Sequence, residues 1–184
     1  MIFAAACSGD DGGGVEKAQL RRMVLQQSDV GAQFTRFDEG PQARADAPSD
    51  DRADAKRFGR EGGWKARFRR SGSIETKGPL VVESRADVFA DADGAETELE
   101  AHEEELREDA TLLDSPAGLG EAAVVATTVQ GSAPAEVRYY TVAWRRGNVT
   151  ASVAVNGFAG GLARADAVRL ARAQDRRMER AARE

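Results

Sequence analysis

The chain has 184 residues, 41% of them apolar and 31% charged, and 26 Lys and Arg against 31 Asp and Glu give a net charge of −5. A chain of this length buries roughly 70% of its unfolded surface, so a core forms without staples, and no net positive field exists to draw in nucleic acid. One cysteine, Cys7, excludes an internal disulfide and any multi-cysteine metal site; one histidine, His102, excludes most zinc chemistry and every His-based triad not built on that residue.

Met1 to Ala6 are uncharged and apolar or small, Cys7 follows, and Ser8-Gly9-Asp10-Asp11-Gly12-Gly13-Gly14 is polar and glycine-rich. Small residues Ala5 and Ala6 before a cysteine, with a flexible run after it, resemble the end of a bacterial lipoprotein signal peptide. The resemblance implies lipidation of Cys7, with residues 1–14 as signal remnant and tether. It also implies attachment to a membrane through that lipid and a place in the cell envelope facing away from the cytoplasm. Six residues are fewer than the ~7–15 of an apolar h-region, so the native start is expected upstream. Elsewhere nothing approaches the ~20 apolar residues of a membrane-spanning helix, and residues 15–184 are expected to form a single domain.

Ala18, Leu20, Met23, Val24 and Leu25 have loose helical spacing, which predicts a helix from Val15 to about Gln27 stopped by Ser28-Asp29-Val30-Gly31. Residues 38–63 carry Gly40-Pro41, Pro48-Ser49 and Gly62-Gly63 and read as a long mobile loop, with room for a short helical turn around Asp51 to Phe58. Trp64, Ala66 and Phe68 alternate with Lys65, Arg67 and Arg69, and Val82, Ser84, Ala86 and Val88 alternate with Glu83, Arg85 and Asp87, predicting two half-buried strands. Paired as a hairpin, they set Glu83 and Asp87 opposite Arg67 or Arg69, worth ~0.2–1 kcal/mol per pair.

Asp91 or Asp93 caps a predicted helix to about Asp109, with Ala95, Leu99, His102 and Leu106 on one stripe and glutamates on the other face. Strands follow at Ala122 to Gln130, Glu136 to Arg146 and Val149 to Asn156, with a tight turn through Gly147-Asn148. A last helix has Asp166 in its first turn and a stripe of Ala167, Leu170, Gln174, Met178 and Ala181. The fold class expected is α+β: a five-stranded antiparallel sheet in the order β-β-α-β-β-β-α after an N-terminal helix, with helices packed on it.

Ser28-Asp29-Val30-Gly31-Ala32-Gln33-Phe34, Arg85-Ala86-Asp87-Val88-Phe89, Arg145-Arg146-Gly147-Asn148-Val149 and Ala171-Arg172-Ala173-Gln174-Asp175-Arg176-Arg177 together resemble uncharacterised bacterial envelope lipoproteins. These have folds similar to PsbP/Mog1-like proteins or to the extracellular sensor domain of some mycobacterial receptor kinases. The sensor domains are held by disulfides, and a chain with Cys7 alone must rely on packing instead.

Several residue groups are candidates for function. His102 with Glu98 and Glu105 is the basis of a metal-dependent or hydrolytic alternative, but its position continues an apolar stripe, which favours a histidine at the edge of the core. The glutamates at 96, 98, 100, 103, 104 and 105 lack a calcium-loop pattern, so no metal site and no cofactor is expected. Arg57, Arg60, Lys65, Arg67, Arg69 and Arg70 form a basic patch with Phe58, Trp64 and Phe68 interleaved. Alternation puts rings and charges on opposite faces, which argues against gripping nucleic-acid bases and leaves contact with an anionic glycopolymer or lipid headgroup open.

Tyr140, Val142 and Trp144 define a core face expected against the last two helices. On the opposite face Tyr139, Thr141, Thr150 and Ser152 form a surface neither charged nor greasy, the candidate binding surface for a protein partner or small ligand. No nucleophile elbow, phosphate loop or dinucleotide fingerprint is present. The expected function is a non-catalytic, lipid-anchored, monomeric cell-envelope domain.

Overall fold

A computed structural model describes residues 19–42 and 58–183. Cys7, the glycine-rich tether, the start of the first predicted helix and most of the helical turn around Asp51 to Phe58 lie outside the described residues. The elements are α1 (Leu20–Met23), α2 (Gln27–Val30), β1 (Thr35–Gln42), β2 (Arg60–Arg69), β3 (Val81–Phe89), α3 (Ala92–Asp109), β4 (Thr111–Leu113), β5 (Ala122–Gln130), β6 (Val137–Arg146), β7 (Val149–Phe158) and α4 (Arg164–Ala181). All strands join one antiparallel sheet in the order β1-β2-β3-β7-β6-β5-β4.

The α+β class holds, but the sheet has seven strands rather than five. The two additional strands are its edges. β1 contains Gly40-Pro41, residues that read as loop punctuation; an edge strand tolerates proline because one side of it needs no ladder partner. β4 has only three residues, too few to show any period. Both ends of the long loop expected at 38–63 are therefore strand. Gly63 suits its strand position because a Cβ there would come within 2.0 Å of Asp87 Oδ1 and 2.6 Å of Arg60 Nη2. The close approach leaves room for the Arg60 Nε bond to Asp87 Oδ1 at 2.9 Å.

The first predicted helix is two short turns, and Ser28-Asp29-Val30 lies within the second instead of stopping the first. The break is held by the Leu25 N–H, which donates to Ser84 Oγ at 2.9 Å, and Ser84 donates in turn to Gln174 Oε1 at 2.6 Å. The predicted hairpin forms with Arg67 opposite Glu83, whereas Asp87 stands opposite Gly63 and pairs with Arg60.

α1 and α4 cover one face of the sheet, burying Phe68, Val82, Val142, Trp144, Val153, Leu170 and Met178. Trp144 is 0% exposed, and its Nε1 donates to Asp175 Oδ1 at 3.1 Å. Arg146 closes on the same carboxylate through Nε at 3.0 Å and Nη2 at 2.8 Å. These bonds, led by the hydrogen bond itself, hold the Arg146 guanidinium further into its charged range than usual despite partial burial. The expectation that both last helices lie on the Trp144 face is corrected: only α4 does, and α3 lies on the opposite face, where Leu99 packs on Val124 and Ala143. The 18-residue α3 is capped by Asp91, whose side chain accepts from the Gly94 N–H at 2.8 Å. Gly147, at φ 56°, supplies the first central position of the tight β6–β7 turn. Among the described residues no helix is long and apolar enough to cross a membrane.

Candidate functional site

Side chains alternate across strands, so residues opposed in the ladders share a face. On the face away from α4, Tyr139 lies between Thr128 and Asn156, Thr141 between Ala126 and Ala154, Ala143 between Val124 and Ser152, and Arg145 between Ala122 and Thr150. β3 extends the rows with Val81, Glu83, Arg85 and Asp87, and β2 with Arg69, Arg67, Lys65 and Gly63. α3 crosses this face diagonally, from the end of β3 to the start of β4 beside Thr127.

The diagonal divides the predicted binding surface. Thr150 is only 8% exposed and Ser152 is half-buried, both lining a pocket beneath α3. Tyr139 and Thr141 are half-buried but do not line that pocket. They lie toward the uncovered part of the face with Ala154, Asn156, Glu83, Arg67 and Asp38.

The pocket under α3 also brings together His102, Glu98, Leu99, Arg85 and Asp87, but it encloses only about 20 Å³. That holds about one water. His102 Nδ1 lies 3.5 Å from Glu105 Oε2, and its side chain is 19% exposed against the apolar stripe of α3. Among the described residues no three His, Cys, Asp or Glu side chains converge as a metal site.

The predicted basic patch is largely neutralised on the sheet. Lys65 Nζ meets Asp38 Oδ2 at 3.1 Å, Arg67 Nε meets Glu83 Oε2 at 3.0 Å, and Arg60 is paired with Asp87; Arg57 lies outside the described residues. Phe37, absent from the sequence-based candidates, stands in this charged region. Its ring is 40% exposed, with the Arg67 and Arg69 guanidinium carbons 5.0 and 5.2 Å from its centroid. The register of β1 shifts between Arg36 and Asp38, so no period-two pattern marks Phe37. Nearby, burial alone would raise the Glu39 carboxyl, but hydrogen bonds and charge from Arg36 and Arg21 outweigh it and hold the group below its ordinary value.

The architecture is that of an α+β domain whose seven-stranded antiparallel sheet carries helices on both faces. The extracellular domain of PknH from Mycobacterium tuberculosis shares this fold, with a TM-score of 0.70, 13% sequence identity, and coverage of 94% of this chain and 100% of that one. This agrees with the receptor-kinase sensor branch of the resemblance. No protein-family model and no curated protein matches the chain.

Proposed function

We propose that the chain is a non-catalytic, outward-facing domain of the bacterial cell envelope, anchored through a lipid on Cys7, which offers the uncovered part of its polar sheet face to a protein partner or small ligand. The observation that carries this reading is the division of the face by α3. Tyr139, Thr141, Asn156, Glu83 and Arg67 stay half-exposed and none of them lines the pocket under α3, while Phe37 beside them is exposed. The charges of this corner are mutually paired around one exposed ring, which suits a polar, shape-complementary partner better than a polyanion. The fold shared with an extracellular domain supports the outward placement.

The alternative of a metal-dependent or hydrolytic enzyme on His102 requires a cleft that admits a substrate. The space beside His102, between α3 and the strands beneath it, is about 20 Å³, room for one water and not for a substrate. Labelled fatty acid fed to cells producing the full-length product should be incorporated, with the protein partitioning into detergent, and Cys7→Ser should abolish both. Equal solubility of the two forms would remove the anchor from the account.

A further inference from the structure

On the opposite side of the molecule, α2, the connection between β2 and β3, and the first turns of α4 enclose a cleft of about 150 Å³. We propose that this cleft is an oxyanion site for a phosphate-class ligand. Its apolar wall is Val30, Phe34, Val82 and Leu170, and the basic residues Arg70, Lys77 and Arg169 also line it.

What separates these cations from others on the chain is the nature of their partners. Arg36, Arg60, Arg146 and Arg177 each face a carboxylate, whereas among the described residues none of Arg70, Lys77 and Arg169 forms an ion pair. Arg70 Nε donates to the Pro79 carbonyl at 2.7 Å, Nη2 donates to the Lys77 carbonyl, and the guanidinium lies over the Phe34 ring with its carbon 5.2 Å from the centroid. Neutral partners fix its geometry without cancelling its charge, and Nη1 takes part in neither bond. Among the described residues Lys77 Nζ approaches only the Gly160 carbonyl, at 3.4 Å, and the exposed Arg169 makes no polar contact.

One acid lines the cleft, Asp166, whose Oδ2 accepts from the Ala163 N–H at 3.1 Å. Three positive charges against one negative leave a surplus of two on a chain whose total is −5. A phosphate monoester carries about −1.5 to −2 at neutral pH and presents three acceptor oxygens, which matches both the charge and the separate donors. A singly charged carboxylate would leave one cation unmatched. The sequence hides the site because Arg70 falls at the end of the alternating strand and Arg169 lies on the last helix.

Free phosphate esters and phosphate headgroups share this chemistry, so the test uses both. The full chain is titrated with sodium phosphate against sodium chloride at equal ionic strength, following thermal unfolding and calorimetric heat, and in parallel with vesicles of phosphatidylcholine with and without phosphatidic acid. Arg169→Ala removes an exposed side chain that makes no polar contact among the described residues, so folding is retained, and Arg176→Ala on the exposed part of the same helix is the control. The site predicts saturable stabilisation by phosphate over chloride, about tenfold weaker in Arg169→Ala and unchanged in Arg176→Ala. Asp166→Asn should bind severalfold tighter. Binding confined to phosphatidic-acid vesicles, with the same Arg169 dependence, identifies a headgroup as the source. Overturning results are chloride matching phosphate, indifference to Arg169→Ala, or no binding in either arm.

Discussion

Trp144 tests the packing account most severely. The side chain has no solvent exposure, lies near the C-terminal end of β6 on the face covered by α4, and gives its only N–H to Asp175, itself 6% exposed. Trp144→Ala removes the indole volume at a site held by strands on both sides, where collapse is restricted, so the cost should fall at ~3–5 kcal/mol. Asp175 keeps both bonds from Arg146 and is not left as an unpaired buried charge, which keeps the loss within that range. Trp144→Phe retains most of the ring and loses one hydrogen bond to a charged acceptor, for about 1–2 kcal/mol. Against a total stability of about 5–15 kcal/mol, the alanine variant loses a large share. Urea unfolding followed by circular dichroism, with Trp64 emission as a second probe, measures both variants. A cost below about 1 kcal/mol for Trp144→Ala, at unchanged urea slope, would refute the placement of Trp144 as the centre of the core.

Tyr139→Ala and Thr141→Ala should each leave stability within about 1 kcal/mol in the same assay, since both side chains are only half-buried; larger losses would make that surface part of the core. Ser84→Ala should cost about 1–3 kcal/mol, because the Leu25 N–H and the Gln174 amide lose their shared partner inside the core; stability equal to wild type would show water replacing the hydroxyl. Glu39 has a folded pKa below its ordinary 4.5, so its contribution is complete above about pH 4.5 and is lost as pH falls through the lowered value. Glu39→Gln should therefore be less stable than wild type by up to about 1 kcal/mol at pH 7, with the gap closing below pH 4.5, and a gap independent of pH would contradict the ion-pair explanation.

Much of the fold was legible because strong periods coincide with buried faces. Tyr140, Val142 and Trp144 alternate with Tyr139, Thr141 and Ala143, and the Ala167, Leu170, Gln174, Met178 stripe marks the side of α4 that packs on them. The edges of the sheet were not legible. Gly40-Pro41 and Gly62-Gly63 carry loop chemistry, yet an edge ladder accommodates the proline and the Arg60–Asp87 pair requires small neighbours. The layer assignment of α3 was also hidden. Its apolar stripe is narrow, with only Ala95 and Leu99 buried, and either sheet face would accept Leu99 until Trp144 and Val142 had been taken by α4. The candidate site was half legible for the same reason: Thr150 and Ser152 belong to the right face, but the helix above them cannot be read from their own strand. Phe37 escaped because a register shift in β1 breaks the alternation that would have placed it among the charges.

The exposed corner of the polar sheet face around Phe37 and Tyr139 is proposed to meet a partner. A photo-reactive phenylalanine analogue introduced at Phe37 or Tyr139, and separately at Arg176 on α4, and activated in intact cells, measures this directly. One discrete adduct is expected from Phe37 and Tyr139, lost in Thr141→Arg, and none from Arg176. Adducts of equal yield from all three positions, or from Arg176 alone, would contradict the proposal.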